Sequence, residues 1–327
     1  MTLPTTRRLL AAACLLLAAQ AGANEYSAMF KSGKFAEAER AADARLATEP
    51  TNPEALIAKS RAILGAGPET RIEQAVKLGE QCVAQYPQLS NCHLAYGNAL
   101  GSKAINAGIM SAIGYAGTIR DAFKKAVELD PNNLEARFSL LQYYMQAPSI
   151  VGGGSGKAKD LAAQTAALSP DASRLMGAML DMSDDAYAKA EAAVLAVHPA
   201  GNEALAEHQE QLLLNLGGSY LSEKKYADSE RAYRALVKLY PDSEWGPYGL
   251  ARIDQEQGRY REAVAGFEKA LALTARPVIH YRIGRAWQSL GDKPKAIAAY
   301  ERALAPKTGL SKKLRGEAED QLKALKG

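Results

Sequence analysis

The sequence lacks the residue patterns that mark most catalytic and metal-binding sites. It has only four histidines and three cysteines, and no two histidines stand four residues apart or in a zinc-ligand pattern with cysteine or glutamate. The G-x-S-x-G motif that positions a serine nucleophile is also missing. We therefore expect a protein that is not an enzyme, with no catalytic residues, no metal and no cofactor.

The sequence also lacks an excess of one charge and any long apolar run beyond residue 24. Its formal net charge is +4, and Arg7 and Arg8 contribute two of those charges, which leaves about +2 for the rest of the chain. Such a small excess gives no reason to expect a nucleic-acid partner. Since no later run is long enough to span a bilayer, we expect no transmembrane segment in the mature chain.

The first 23 residues have the organisation of a secretory signal peptide. Arg7 and Arg8 form a positive region, residues 9–19 form a short apolar run, and residues 21–23 are small. This pattern predicts cleavage before Asn24, with cleavage after Ala21 as an alternative. Lipidation at Cys14 and a twin-arginine signal fit the flanking residues less well. We expect an exported, soluble, periplasmic protein.

Export leaves the mature chain with two cysteines, Cys82 and Cys92. Each is expected near the end of one of two adjacent antiparallel helices, within disulfide reach. A bridge across this short loop stabilises the fold by roughly 2.5–3 kcal/mol in the chain-entropy model. An oxidising compartment favours the bridge. The alternative is two free, buried cysteines that serve as small core residues.

What the sequence does contain is a repeat of about 34 residues in its C-terminal third. Small and aromatic residues return at matching positions in three successive units: Leu216, Gly217, Tyr220, Tyr233 and Pro241; Gly258, Tyr260, Ala263, Phe267 and Ala270; Ile283, Gly284, Trp287, Gly291, Ala296, Tyr300 and Ala303. This pattern resembles the tetratricopeptide repeat family. Two residues depart from the family pattern: Ser229 replaces the usual small apolar residue, and Asp254 replaces an aromatic residue.

The resemblance implies an all-α, right-handed α-solenoid of about eight helical hairpins. We divide the chain into a signal peptide (1–23), an N-terminal array of irregular repeats (24–199), a C-terminal array of three well-formed repeats (200–310) and a capping helix (311–327). The expected joint between the arrays is the turn that begins at Pro199. The capping helix is predicted because apolar residues of 311–325 recur on one face.

Two segments interrupt the regular pattern. Residues 101–115 form an insertion with Ile105, Ile109, Met110 and Ile113 at helical spacing. They predict either an apolar finger that touches a partner or a membrane, or a longer helix that packs on its neighbours. Residues 148–157 are rich in glycine but lack two fixed positions of a phosphate-binding loop, so we interpret them as a turn between two helices.

In the family that this sequence resembles, the first helix of each repeat lines a concave, partner-binding groove. The matching positions here are Trp245, Tyr248 and Arg252 in one helix, and Tyr281, Arg285 and Gln288 in the next. Each tyrosine–arginine pair is four residues apart and shares a helix face. Arginine binds carboxylates through two parallel hydrogen bonds, and aromatic rings bury area with little loss of entropy. Alternatively, Tyr248 and Tyr281 belong to the core and the arginines are solvated.

The other aromatic residues of the C-terminal repeats are assigned to packing: Tyr220, Tyr226, Tyr233, Phe267, Trp287 and Tyr300. The resemblance then implies an exported, non-enzymatic scaffold or adaptor that binds a protein or peptide in its concave groove, with a role in envelope assembly. Two other functions stay open at this point. One is a carrier of a small ligand or glycan, and the other is a membrane-peripheral protein that uses residues 101–115.

Overall fold

A computed structural model describes residues 26–66, 71–306 and 309–327, and these ranges contain helices and no strand. The predicted all-α class is confirmed. The predicted signal peptide lies outside the described residues. The helices are residues 26–31 (α1), Phe35–Thr48 (α2), Pro53–Ala66 (α3), Ile72–Gln85 (α4), Ser90–Asn106 (α5), Ile109–Leu129 (α6), Leu134–Gln146 (α7), Ser155–Thr165 (α8), Pro170–Ser183 (α9), Tyr187–Leu195 (α10), Glu203–Ser222 (α11), Tyr226–Leu239 (α12), Trp245–Glu256 (α13), Tyr260–Leu273 (α14), Pro277–Ser289 (α15), Lys293–Leu304 (α16) and Lys312–Lys326 (α17).

The chain divides between Pro131 and Asn132 into two compact units. The described part of the first unit contains three helical hairpins (α1 to α6). The second contains five hairpins (α7 to α16) and then α17. Eight hairpins and a final helix agree with the number predicted from the repeats.

The predicted joint at Pro199 lies inside the second unit, where it forms the turn between α10 and α11. Gln209 of α11 donates hydrogen bonds from Nε2 to the carbonyl oxygens of Val194 and Val197, at 2.8 and 2.9 Å. The two helices therefore pack against each other across the turn. The division into arrays at residue 199 rests on the regularity of the repeats, and it stays a prediction.

Aromatic side chains on the second helix of a repeat pack against glycines on first helices. A β-carbon on Gly97 would lie 2.5 Å from the ring of Phe123, and one on Gly284 would lie 2.9 Å from the ring of Tyr300. Real β-carbons do not approach other atoms so closely, so glycine at these positions lets the two helices of a hairpin come together. This packing explains why glycine and aromatic residues recur with the period of the repeat.

The last helix covers the end of the second unit, as predicted. The Ser311 hydroxyl accepts a hydrogen bond from the backbone N–H of Leu314, which caps the first turn of α17. Ala318 and the leucines of the apolar face pack against Tyr281 and Tyr300. Without α17 these two rings would face water, so the helix completes the core.

The predicted insertion at 101–115 lengthens the hairpin of α5 and α6. These helices have 17 and 21 residues, against 14 in each of α2, α3 and α4. Ile105 is 78% exposed and Ile113 is 48% exposed, so the longer helices present apolar side chains to solvent. The side chains of Ile109 and Met110 lie outside the described residues.

The glycine-rich segment 148–157 forms the turn between α7 and α8 and the start of α8, as predicted. A short 3-10 helix at Ser149–Val151 is fixed by the Tyr143 hydroxyl, which donates to the carbonyl oxygen of Val151 at 2.7 Å. A β-carbon on Gly153 would lie 1.8 Å from the carbonyl oxygen of Ala147, so only glycine fits there. The Lys157 ammonium group donates to the carbonyl oxygen of Gly152 at 2.9 Å and so stabilises the turn itself.

Candidate functional site

The structure places Tyr248 and Tyr281 in the core of the second unit. They are 6% and 3% exposed. The ring of Tyr248 lies 5.7 Å from that of Phe267, and the ring of Tyr281 lies 6.1 Å from that of Tyr300. Both tyrosines therefore belong to the core, as the alternative interpretation of the sequence expected. Their role in partner binding stays a prediction.

Trp245 begins α13 and is partly buried between two neighbours. Its ring meets that of Tyr248 edge-on, with centroids 5.5 Å apart. The guanidinium group of Arg276 lies over the Trp245 ring, 4.9 Å from its centroid, and also forms an ion pair with Glu244. This cation–π contact covers one face of the indole, so that face is not available to a partner.

Gln288 links α15 to the capping helix. Its Oε1 atom accepts a hydrogen bond from the Tyr300 hydroxyl at 2.7 Å, and its Nε2 atom donates to Gln321 at 2.6 Å. Both ends of the amide are thus engaged within the protein. Gln288 is predicted as a binding residue, and its observed contacts stabilise the fold.

Tyr233 belongs to the second helix of its repeat, yet its hydroxyl reaches the first helices. Its ring fits between Gly217 of α11 and Gly249 of α13, where β-carbons would lie 2.6 and 2.1 Å from the ring atoms. The two glycines therefore leave a slot that is open only to a flat side chain. The ring is fully buried, and the slot directs the hydroxyl between α11 and α13.

Three polar atoms near this slot have no hydrogen-bond partner. Within the described residues, the Tyr233 hydroxyl and the Nε atoms of Arg252 and Arg282 are buried and unpartnered. The Tyr233 hydroxyl and Arg252 Nη1 would both lie near a β-carbon on Gly218, at 3.8 and 4.0 Å. We call Tyr233, Arg252 and Arg282 the Tyr233 site.

Gln255 of α13 holds Arg282 in position from the neighbouring helix. Its Nε2 atom donates to the backbone carbonyl of Arg282 at 3.0 Å, and its Oε1 atom accepts from Arg282 Nη1 at 3.5 Å. Gln255 is itself 7% exposed, so it is part of the packed interior. One end of the Arg282 guanidinium group is therefore engaged while its Nε atom is not.

The electrostatics show that both arginines act on Tyr233. Burial raises the pKa of the Tyr233 hydroxyl above its ordinary value, and the positive charges of Arg252 and Arg282 act in the opposite direction. Among the ion pairs of the described residues, none involves Arg252, Arg282 or Arg285. The first helices α13 and α15 thus carry three arginines without a carboxylate from the protein itself.

Sequence reasoning identified only part of this site. It selected Arg252 and Arg285 on the first helices, but it assigned Tyr233 to packing and left out Arg282. Arg252 and Arg282 stand at different positions of their repeats, so no periodic signal connects them. The sequence signal that could have indicated the special position of Tyr233 is the pair of glycines, Gly217 and Gly249, which leaves room for its ring.

In the described part of the chain, no helix is long and apolar enough to cross a bilayer. The same residues include no group of three histidine, cysteine, aspartate or glutamate side chains arranged to hold a metal ion.

Comparison with known families identifies repeats in the second unit. Residues 211–243 and residues 248–310 each match a family model described as tetratricopeptide repeat. The first matched range contains Tyr233, and the second contains Arg252, Arg282 and Arg285. No curated protein matches the chain.

Solved structures that resemble the chain include a subunit of the APC/C hetero-tetramer Cut9-Hcn1 (15% identity, 92% of this chain and 54% of that chain, TM-score 0.46). Human IFIT1 in a dimer with PPP-AAAA also matches (18% identity, 84% and 63%, TM-score 0.48). So does a tetratricopeptide repeat protein from Parabacteroides merdae ATCC 43184 (13% identity, 94% and 98%, TM-score 0.44). The chain spans about half of the first and less than two thirds of the second. Similarity at this level carries no information on function.

The family assignment comes from the two matched ranges together with the hairpins that they form. The first matched range, 211–243, contains all of α12 and the second half of α11. The second, 248–310, contains α14, α15 and α16 and all but the first three residues of α13. Seven of the residues that carried the resemblance lie in the core clusters of these helices: Ala263, Phe267, Ala270, Ile283, Ala296, Tyr300 and Ala303. The chain therefore contains tetratricopeptide repeats, at residues 211–243 and 248–310.

Proposed function

We propose that this protein is a scaffold that binds a segment of another protein along α11, α13 and α15. The observation that carries the proposal is the group of three arginines, Arg252, Arg282 and Arg285, on two consecutive first helices. Arg285 is exposed and the other two are half-buried. Surface arginines usually find a carboxylate within their own protein when one is near, so this unpaired group favours an acidic partner.

Recognition on this surface requires no chemical step. Arg282 is held by Gln255, and the guanidinium group of Arg252 lies over the ring of Tyr248, 5.9 Å from its centroid. Little conformational freedom is therefore lost when a partner binds. Each guanidinium group offers hydrogen-bond donors in a fixed plane that matches a carboxylate. The partly buried ring of Trp245 adds apolar area at the start of α13. An extended acidic segment that runs across α13 and α15 meets both kinds of contact.

The test is photo-crosslinking in living cells with a reactive amino acid at Ser289. This residue is exposed on α15, one turn beyond Arg285. We expect one dominant protein to be captured, and capture to fall at least severalfold when Arg252 and Arg285 are both changed to glutamine. Arg234→Gln is the matched control, because Arg234 is an exposed arginine of α12 that pairs with Glu230 at 2.6 Å. Capture that is equal in all three proteins contradicts the proposal.

We also propose that the protein is exported and that Cys82 and Cys92 form a disulfide. Their Cα atoms are 5.2 Å apart and both side chains are fully buried, which supports a bridge between α4 and α5. Mass spectrometry of the periplasmic fraction checks both points. We expect a chain that begins at Asn24 and is lighter by two hydrogen atoms than its reduced form. A cytoplasmic chain that keeps Met1, or two cysteines that alkylate without reduction, contradicts this proposal.

The exposed isoleucines of α5 and α6 support a second candidate function, contact with a lipid surface. No charged residue occurs from position 104 to position 119, and Ile105 and Ile113 are exposed at this end of the hairpin. Flotation with phosphatidylcholine vesicles is the test. We expect Ile105→Asp to abolish flotation, since a charge cannot enter the acyl region cheaply. Ile150→Asp is the control, because Ile150 is 89% exposed on the other compact unit. Equal loss in both variants contradicts a specific role for the hairpin.

A further inference from the structure

We infer that two copies of this protein associate, with one edge of the second unit lying antiparallel against the same edge of the other copy. This edge is formed by the starts of α9, α11, α13, α15 and α17, and we call it the starting edge. The inference is independent of the proposed function, because it uses this edge and not the arginines of α13 and α15. The partner to which it commits is a second copy of the chain.

Contacts within the chain show that the starts of these helices lie side by side. α9 packs against α11, and α11 packs against α13. Glu244 at the start of α13 forms an ion pair with Arg276 at the start of α15. The Tyr281 hydroxyl of α15 donates to Glu317 of α17 at 2.5 Å. Because consecutive helices of hairpins are antiparallel, every second helix begins at the same edge of the unit.

The charge of the second unit changes sign along this series of helices. Residues 160–223, which include α9 and α11, contain ten acidic and two basic residues, whereas residues 259–327 contain seven acidic and fifteen basic residues. The net charges of the two segments are therefore −8 and +8, although the whole sequence carries only +4. The change falls between α13 and α15, where Glu244 and Arg276 pair. One unit thus carries two segments of complementary charge.

The first turns of the helices follow the same change of sign. α9 and α11 have acidic residues there, Asp171 and Glu203, and such residues interact favourably with the positive end of the helix dipole. α17 begins instead with Lys312 and Lys313 and has no acidic residue in its first turn. Two lysines at this end of a helix are locally unfavourable, so the stability of the monomer does not explain them. A negatively charged surface on a partner offsets this repulsion.

The basic end of the starting edge is held in place and available to a partner. Arg302, Lys312 and Lys313 are exposed and make no ion pair among the described residues. Arg302 belongs to the last turn of α16 and therefore lies beside the start of α17. Arg315 donates to two backbone carbonyl oxygens at the end of α16 and in the following turn. This contact fixes the turn, so the three exposed cations keep their relative positions.

A two-fold arrangement satisfies both halves of the edge at once. When a second copy lies antiparallel, its α17 faces α9 and α11 of the first copy, and symmetry repeats the contact at the other end. Such a dimer is closed, so it does not grow into a filament. Single ion pairs between exposed side chains are weak. The dimer therefore depends on several of them, and salt weakens it.

Analytical ultracentrifugation of the full mature protein tests the inference. We expect a dimer at about 20 mM sodium chloride and a monomer at about 500 mM, where charges are screened. Lys312→Glu combined with Lys313→Glu should weaken dimerisation roughly tenfold or more at the lower salt concentration. The matched control combines Lys323→Glu with Lys326→Glu, which reverses two charges at the other end of α17. The control should dimerise as the wild-type protein does.

An exchange of charge between two copies gives the sharpest test. Asp171→Lys combined with Glu203→Lys makes the acidic half of the edge more basic, so this variant should also dimerise less than the wild-type protein. Its mixture with the variant that carries Lys312→Glu and Lys313→Glu should form a mixed dimer, because opposite charges then face each other at both ends. A mixture that stays monomeric overturns the inference, as does a wild-type protein that is monomeric at both salt concentrations.

Vesicle flotation separates a second copy from an anionic lipid surface as the partner. Phosphatidylglycerol vesicles are negatively charged, and phosphatidylcholine vesicles are the neutral control. If the wild-type protein is monomeric at the lower salt concentration and floats only with the charged vesicles through Lys312 and Lys313, the basic end binds lipid and the inference is wrong. A dimer that persists when these vesicles are present supports the second copy.

Discussion

Tyr233 and Tyr300 occupy the same position of the repeat, two repeats apart, but their hydroxyl groups have different surroundings. Both rings are fully buried and both fit against glycines of first helices. The Tyr300 hydroxyl donates to Gln288, which the capping helix holds through Gln321. The Tyr233 hydroxyl has no partner within the described residues and lies near two arginines. The same residue type thus forms a hydrogen bond with its hydroxyl in one repeat and leaves the hydroxyl unpartnered in another.

The repeat between them shows which part of the side chain the fold requires. Phe267 stands at the equivalent position and is also fully buried, with no hydroxyl at all. Packing at this position therefore needs only the ring, and the hydroxyl is available for other interactions. At Tyr300 those interactions stabilise the end of the second unit, and at Tyr233 the buried hydroxyl makes no hydrogen bond within the described residues.

The largest effect is expected from filling the slot of the Tyr233 ring. Gly249→Ala places a β-carbon 2.1 Å from that ring, so either the ring or α13 must move. We expect the free energy of unfolding to fall by about 3 kcal/mol, measured by chemical denaturation. Gly177→Ala in α9 is the matched control, because a β-carbon there meets nothing within 4 Å. The control should gain roughly 0.5–1 kcal/mol through helix propensity. Equal stability of the two variants contradicts the close packing of the Tyr233 ring against Gly249.

The next largest effect is the pH dependence of stability that the raised pKa of Tyr300 produces. Burial, with a smaller contribution from the charge of Tyr281, raises the pKa of Tyr300 to about 12, while Arg285 acts in the opposite direction. Because an unfolded tyrosine titrates near 10, the folded state holds the proton more tightly. The resulting stability is complete below about pH 10 and is lost as the pH rises towards 12.

This pH dependence is measured by unfolding the wild-type protein and Tyr300→Phe at pH 9 and at pH 11.5. We expect the wild-type protein to lose roughly 2 kcal/mol more than the variant over this range. Tyr220 and Tyr240, whose pKa values are also raised to about 12, remain in both proteins and cancel in the comparison. A variant that loses as much as the wild-type protein contradicts the assignment to Tyr300.

A smaller effect is expected at neutral pH from the hydrogen bond of Tyr300. Tyr300→Phe leaves Gln288 Oε1 without its donor beneath the capping helix. We expect the free energy of unfolding to fall by about 1 kcal/mol. Gln288→Leu, which removes the acceptor instead, should cost a similar amount and add little when combined with Tyr300→Phe. Full additivity of the two changes contradicts a direct contact.

The sequence predicted the fold well because packing at the repeat interfaces is periodic. Glycines, small residues and aromatic rings recur at the positions where helices cross. The capping helix was predictable because its apolar residues recur at helical spacing. The site was predicted less well. The four-residue spacing between Tyr248 and Arg252 indicates a shared face but does not say whether that face is buried. The surroundings of the Tyr233 hydroxyl depend on Arg252 and Arg282, which stand at different repeat positions, and so no period reports them.

The smallest effect on stability is the sharpest test of the comparison. Tyr233→Phe removes a buried hydroxyl that has no partner among the described residues, so no hydrogen bond is lost. We expect the free energy of unfolding to stay within about 0.5 kcal/mol of the wild-type value, or to rise slightly. The same substitution at position 300 costs about 1 kcal/mol, although the two rings are equally buried. A loss at position 233 as large as that at position 300 would mean that the Tyr233 hydroxyl contributes to the fold and would contradict this comparison. A near-neutral change would show that the fold requires only the ring at position 233, as it does at the equivalent Phe267.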